Sequence, residues 1–256
     1  MKKQFLTTLV FLGVVLFLSG SLARAGSVEP VPLAIQSLLM PLNGYDDNDS
    51  VQLMIHGELP NACYQLSNAS FELKAGNNIV LRQFANHLTD GLCGEEEVLP
   101  DYMRIPVLFT TEISLGTLKA GDYRIEYTGT LMSRKTLSLR VTQSEVPTVD
   151  DRLYADVTQV IAPDVFVSGN QLKVILSGVY NSDCVELDPQ PVVLRQGEVS
   201  IILPHLTVNA EAVCRRQLRP FSREVNLGRV DGVHHLVHVR SMNGRGVSRW
   251  VDLIEE

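Results

Sequence analysis

Short apolar runs and alternating segments dominate the hydrophobic pattern of this chain. Val51 to Ile55 and Leu172 to Leu176 are apolar runs with β-branched residues, whereas Tyr123 to Tyr127 and His235 to Val239 alternate with period two. Both patterns are typical of strands. Turn signals recur between the segments, and Asn243-Gly244 is a hairpin signal joining the final two strands. With no amphipathic helical pattern, the sequence predicts an all-β protein.

The same pattern occurs twice along the chain. Cys63 and Cys93 are 30 residues apart, as are Cys184 and Cys214, and one offset of 121 superposes both pairs. The offset also places Gly57 on Gly178. Because self-similarity at a fixed offset is the mark of a repeated unit, we predict two copies of one domain.

The later part of each copy aligns at an offset of 112, with Phe109 to Tyr127 on Phe221 to Val239. The difference between the offsets leaves nine extra residues in the first copy, between Gly94 and Arg104. We therefore predict a first β-sandwich domain over 26–146, a short linker over 147–151 that contains Pro147, and a second β-sandwich domain over 152–256.

Residues 1–25 have the three parts of a secretory signal peptide. Lys2 and Lys3 precede an apolar run of 14 residues, Phe5 to Leu18, and small residues at Ala23 and Ala25 suit cleavage after Ala25. The alternative is a retained membrane anchor, but 14 residues rise only about 21 Å as a helix, short of a hydrocarbon core of about 30 Å. The sequence predicts export, to the periplasm or beyond, with no membrane span after cleavage.

The net charge limits the kinds of partner the protein can bind, and the cysteine content indicates the compartment in which it folds. Without Lys2, Lys3 and Arg24, 19 basic residues stand against 29 acidic ones, a net charge of −10. This balance disfavours binding to nucleic acid, which needs a positive field. An even number of cysteines in an exported chain indicates disulfides. The repeat symmetry predicts one bridge per copy, Cys63–Cys93 and Cys184–Cys214.

Two motifs carry a resemblance to known folds. The segment from Leu118 to Ile125, with Gly121 and Tyr123, resembles the corner of fibronectin-III and immunoglobulin-like sandwiches, in which a Tyr hydroxyl bonds to the backbone. Gly57 to Cys63, Gly-Glu-Leu-Pro-Asn-Ala-Cys, resembles a recurrent exported bacterial module. The resemblance implies tandem immunoglobulin-like β-sandwiches in the cell envelope and implies no activity.

Candidate chemistry is sparse. The chain has no Gly-x-Ser-x-Gly elbow, P-loop or dinucleotide glycine pattern. His234, His235 and His238 resemble a metal signature, but on a strand His235 points away from the other two, which stand about 13 Å apart. Asp46 to Ser50 resembles a calcium loop without its glycine and its closing Glu. An acidic turn explains it equally well. We predict no cofactor and no metal site.

Opposed charges on the two copies are the candidate interaction sites. The first copy's insertion is acidic, and the second copy has eight Arg between residues 215 and 249 against Glu224 and Asp231. The candidate residues are Glu95, Glu96, Glu97 and Asp101 in the insertion, and Arg215, Arg216, Arg219 and Arg223 in the Arg-rich segment.

We predict a non-enzymatic envelope protein that binds another envelope protein or polymer, or has a structural role as a spacer. The opposed charges suit weak self-association or separate partners of opposite charge, and a solvated face is the alternative explanation of them. The alternatives are a periplasmic chaperone or inhibitor that captures polypeptide on a sheet edge, and a metal-dependent hydrolase on a β scaffold.

Overall fold

The computed structural model describes residues 29–89, 91–94, 99–146, 150–209, 211 and 213–255. The predicted signal peptide and residues 147–149 of the predicted linker lie outside this range. The described chain is almost entirely strand, which confirms the all-β prediction. Over the same residues, no helix has the length and apolar character needed to cross a bilayer.

The strands of the first copy are β1 (Glu29–Leu33), β2 (Ile35–Leu39), β3 (Tyr45–Asp46), β4 (Ser50–Leu59), β5 (Tyr64–Leu66), β6 (Ser70–Lys74), β7 (Asn78–His87), β8 (Val107–Thr117), β9 (Gly121–Thr128) and β10 (Arg134–Thr142). Those of the second copy are β11 (Asp156–Ile161), β12 (Val165–Val167), β13 (Gln171–Tyr180), β14 (Val185–Leu187), β15 (Val192–Gln196), β16 (Val199–Leu203), β17 (Leu206–Val208), β18 (Arg219–Arg229), β19 (His234–Ser241) and β20 (Arg245–Ile254). Short 3-10 helices occupy Gly91–Gly94, Asp101–Met103 and Thr130–Met132.

Two sheets enclose the core of the first copy. The larger sheet has the order β1-β7-β9-β10-β3, with β5 and β6 also paired to β7, and the smaller one has the order β2-β4-β8. Because alternate side chains of a strand point to the same face, Ile79 and Ile125 of the larger sheet meet Leu53 and Ile55 of the smaller one in a single apolar cluster.

The second copy repeats this arrangement. Its smaller sheet has the order β11-β13-β18 and its larger sheet the order β12-β20-β19-β16-β15, while β14 and β17 form a separate pair. Val174, Ile202 and Val251 belong to the apolar cluster between the two sheets. Strands that match in the sequence repeat therefore occupy matching places in the fold.

Parallel strand pairs also recur in both copies. In the first copy β7 is parallel to β9 and β3 is parallel to β10. The same holds for β16 with β19 and for β12 with β20 in the second. Immunoglobulin sandwiches consist of antiparallel sheets, so these pairs depart from that pattern. The immunoglobulin likeness of each copy accordingly stays a prediction.

A glycine and a phenylalanine face each other at the same place in both copies. Gly57 pairs with Phe109 across β4 and β8, and Gly178 pairs with Phe221 across β13 and β18. A Cβ atom on either glycine would lie 2.8 Å from the ring. The repeated glycines are thus required by the close approach of the ring. In the corner before β9, the Tyr123 hydroxyl donates to the Lys119 carbonyl at 2.8 Å.

A third apolar cluster joins the two copies. Met54, on the outer face of the β2-β4-β8 sheet, packs with Ile201, Leu236 and Trp250 on the outer face of the second copy's larger sheet. The four sheets therefore stack with an apolar layer in each of the three spaces between them. The middle two sheets are buried on both faces along β4, β16 and β19, which accounts for the consecutive buried residues in those strands.

Candidate functional site

The two disulfides occupy matching positions in the copies. Cys63 is bonded to Cys93 and Cys184 to Cys214, with Cα atoms 5.4 Å and 5.3 Å apart. These are the pairings that the repeat predicted. Such bridges are typical of proteins in oxidising compartments.

The first copy's insertion is anchored beside its disulfide. Glu95, Glu96 and Glu97 lie outside the described residues, whereas Asp101 begins an exposed 3-10 turn. The amide of Ala62 donates to the carbonyl of Met103 at 3.0 Å, next to the bridge. The described part of the loop is thus held beside the bridge at Met103.

Exposed apolar side chains flank and follow Cys93 in the chain, and sequence reasoning missed them because it looked for charge. Each is more than half exposed: Leu92, Tyr102, Ile105 and Leu108. We call these four residues the apolar patch. Leu92 adjoins the bridge and Tyr102 adjoins Met103, so the patch is held by the disulfide and by the hydrogen bond between Ala62 and Met103. The segment Asp101 to Phe109, which mixes large apolar residues with turn residues, was the available sequence signal.

The four arginine candidates divide into exposed and structural groups. Arg215, Arg216 and Arg223 are exposed. Arg219 is half-buried; its guanidinium donates to the carbonyl of Val185 at 2.9 Å and lies 5.3 Å from the centre of the Tyr180 ring. Arg219 therefore holds strands together and is the least available of the four to a partner.

The remaining arginines of the Arg-rich segment are largely neutralised by carboxylates. Arg245 bonds Asp156 at 2.6 Å, and Arg249 bonds Asp164. Arg240 forms a buried pair with Asp49 of the first copy. The local excess of positive charge in the sequence is consequently much smaller on the surface.

Arg240 of the second copy contacts Asp49 and Gly44 of the first. The acidic turn from Asp46 to Ser50 therefore forms part of the joint between the copies. The Arg240 guanidinium lies 2.5 Å from a carboxylate oxygen of Asp49 and also donates to the Gly44 carbonyl. Burial raises the pKa of Asp49, and the Arg240 charge opposes that shift. The Asn243-Gly244 turn of the second copy contacts the same acidic turn, where the Ser50 amide donates to the Gly244 carbonyl at 2.7 Å.

The three histidines of the metal-like run are separated by the strand. His235 bonds Ser200 at 2.9 Å inside the second copy's core, and His238 bonds Ser248 at 3.0 Å on the opposite face. Burial lowers the pKa of His235 to about 4 and that of His238 to about 3, with minor contributions from Arg195 and Arg240, so both rings are neutral near pH 7.

His234 lies at the joint between the copies. Its ring centre is 4.6 Å from that of His56 and 4.7 Å from that of Trp250, and its Nδ1 atom is 3.1 Å from Asp252. His56 stacks on Trp250 with ring centres 5.1 Å apart, so both histidines are engaged in ring contacts at the joint. Across the described residues, no group of three or more His, Cys, Asp or Glu is placed to hold a metal ion.

No protein-family model, no curated protein and no solved structure matches this chain.

A surface groove of about 460 Å³ lies where β1 and β9 meet along β7. Its carboxylate, Glu126, bonds Arg134 and lies 3.6 Å from Arg124. Hydrogen bonds from Arg134 lower the pKa of Glu126. An ionised, arginine-paired carboxylate is a poor general acid or base, so this groove suits binding better than catalysis.

Proposed function

We propose that this protein is a non-enzymatic, exported binding module of the cell envelope. The apolar patch of the first copy carries the proposal. Large exposed apolar side chains in one place mark interaction sites more often than single exposed residues do. Here Tyr102 and Ile105 stand on the loop between the bridged Cys93 and β8, and Leu108 lies in β8 itself; anchoring at both ends limits the entropy lost on binding.

The partner is a protein or polymer with an apolar surface. A net charge of −10 without the signal peptide, from 19 basic and 29 acidic residues, supports exclusion of nucleic acid. The signal peptide pattern and the two disulfides support export. Under this proposal the second copy supports the first through the shared apolar cluster and the Arg240–Asp49 pair.

Affinity capture from native envelope extract tests the proposal. We expect mature protein to retain a partner that Tyr102→Ser with Ile105→Ser loses, because both side chains are exposed and precede β8. The matched control is Leu131→Ser with Met132→Ser, which removes exposed apolar side chains from the turn between β9 and β10. Equal retention by both double variants would contradict the assignment of the site.

A second candidate function is capture of polypeptide on a sheet edge. Strand β8 pairs with β4 on one side, and no described strand pairs with its other side. An unpaired edge is a template for another strand.

A further inference from the structure

Core-facing side chains of β6 lie uncovered at the edge of the first copy's larger sheet. Phe71 pairs with Leu81 and Leu73 pairs with Ile79, so all four point to the core side of the sheet. Leu81 and Ile79 are 1% and 0% exposed, whereas Phe71 is 39% and Leu73 is 53% exposed. Within the described residues the opposing sheet has three strands, β2, β4 and β8, and the exposure of Phe71 and Leu73 shows that it leaves β6 uncovered.

The edge strand of that opposing sheet is β8. It is 11 residues long, and within the described chain β4 is its sole partner. Val107 at its start also faces the core side and is substantially exposed. A fourth strand added along β8 would therefore satisfy backbone groups of β8 and cover the apolar side chains of β6.

The matching edge of the second copy is closed by an arginine. Ser200 of β16 matches Ile79 of β7 at the repeat offset of 121. Arg195 of β15 pairs with Ser200, and Leu73 of β6 pairs with Ile79. Arg195 and Leu73 therefore occupy equivalent places in the two copies. The Arg195 guanidinium donates to the carbonyls of Leu227 and Arg229 on β18.

Leu227 and Arg229 match Leu115 and Thr117 of β8 at the offset of 112. The first copy has Leu73 at the place of Arg195, and an alkyl side chain donates no hydrogen bond. The equivalent edge strands thus differ: β18 of the second copy is blocked by Arg195, and β8 of the first copy is open. Charged groups that block an edge are a known means of preventing strand addition.

We propose that the β8 edge binds an extended segment of another polypeptide, which adds as a strand and places alternate apolar side chains over Phe71 and Leu73. The β8 backbone supplies hydrogen bonds to the added segment, and the uncovered side chains of Phe71 and Leu73 favour a segment with alternating apolar residues. A second copy of this protein fits poorly, because antiparallel pairing of two β8 strands about their centre opposes Glu112 to Glu112. This proposal rests on the second candidate function and shares with the apolar patch only Leu108, near the start of β8.

The probe is a fluorescein-labelled peptide of about 11 residues that alternates Val with Thr and carries one Lys to oppose Glu112. A peptide of the same composition with its Val residues consecutive is the sequence control. Fluorescence anisotropy measures affinity and stoichiometry. Hydrogen exchange with unlabelled peptide locates the site, and we expect new protection within 107–117.

Two substitutions make the test reciprocal. Leu73→Arg installs the blocking residue of the second copy and should weaken binding about tenfold or more, about 1.4 kcal/mol. Arg195→Leu opens the second edge and should raise the stoichiometry from one peptide to two. Leu131→Arg adds the same charge at a fully exposed site and should leave binding unchanged.

The proposal is overturned if the alternating peptide does not bind, if Leu73→Arg binds as well as the unmodified protein, or if protection appears outside β8. Concentration-dependent protection of β8 without peptide would instead assign the edge to a second copy. Loss of capture on Tyr102→Ser with Ile105→Ser, two residues that precede β8, bears only on the apolar patch, so the two proposals fail separately.

Discussion

The ion pair between the copies offers the sharpest test of how they are joined. Arg240 and Asp49 are 5% and 1% exposed, and the closest nitrogen–oxygen distance is 2.5 Å. Arg240 also donates to Gly44 and lies 5.3 Å from the centre of the Tyr154 ring. Replacing it with Met keeps most of the side-chain volume but leaves the Asp49 carboxylate buried without its counter-ion.

Breaking one partner of a buried pair costs about 3–5 kcal/mol, because the remaining charge has lost its hydration and its partner. We therefore expect Arg240→Met to lower the free energy of unfolding by that amount. Asp49→Asn in the same chain should recover part of the loss, since the uncompensated charge is then absent. The control is Lys173→Met, which breaks a pair of 2.8 Å between side chains that are more than half exposed; such pairs contribute about 0–1 kcal/mol.

Urea unfolding measures these differences. Trp250 is the chain's single Trp and belongs to the cluster between the copies, so its emission reports on the joint. Far-ultraviolet circular dichroism reports on all strands, and an earlier change in Trp250 emission would show the copies separating first. A loss for Arg240→Met no greater than that for Lys173→Met would refute the reasoning.

Three further predictions follow from the described geometry. Because burial lowers the folded-state pKa of His238 to about 3, its contribution to stability is complete above about pH 6.5 and is lost as the pH falls toward 3. Within that window His238 should account for about 1.4 kcal/mol of lost stability per pH unit, in addition to the share from His235, whose pKa is lowered to about 4; His238→Gln should remove the His238 share in acid titrations of urea midpoints. Residues 26–146 and 152–256, expressed separately under oxidising conditions, should each fold and should bind each other when mixed, because separation exposes Met54 and Trp250; calorimetry that detects no association would contradict a stabilising joint. Self-association through the acidic insertion should be weak and salt-sensitive, and sedimentation at low salt should show it diminished when Glu95, Glu96 and Glu97 are changed to Gln, whereas a monomer at every salt concentration would exclude it.

Local patterns in the sequence determined the strands and the bridges. Period-two alternation is a property of the extended backbone itself, so it predicted the strands around Tyr123 and His235 without knowledge of their neighbours. The repeat offset predicted the Cys63–Cys93 and Cys184–Cys214 pairs, because equal copies make equal contacts. The same offset marked Gly57 and Gly178, which the facing phenylalanine rings require.

Tertiary structure decided what the charges and the apolar runs do. In the sequence Arg240 was one of eight arginines in a basic segment, but it is buried against Asp49, 191 residues away, and no local pattern encodes that pairing. The run from Val51 to Ile55 is compatible with burial on one face or two, and only the docking of the second copy against Met54 selects two. Likewise, Leu73 matters because the opposing sheet is narrower than its own, and the relative width of two sheets depends on pairings far apart in the chain.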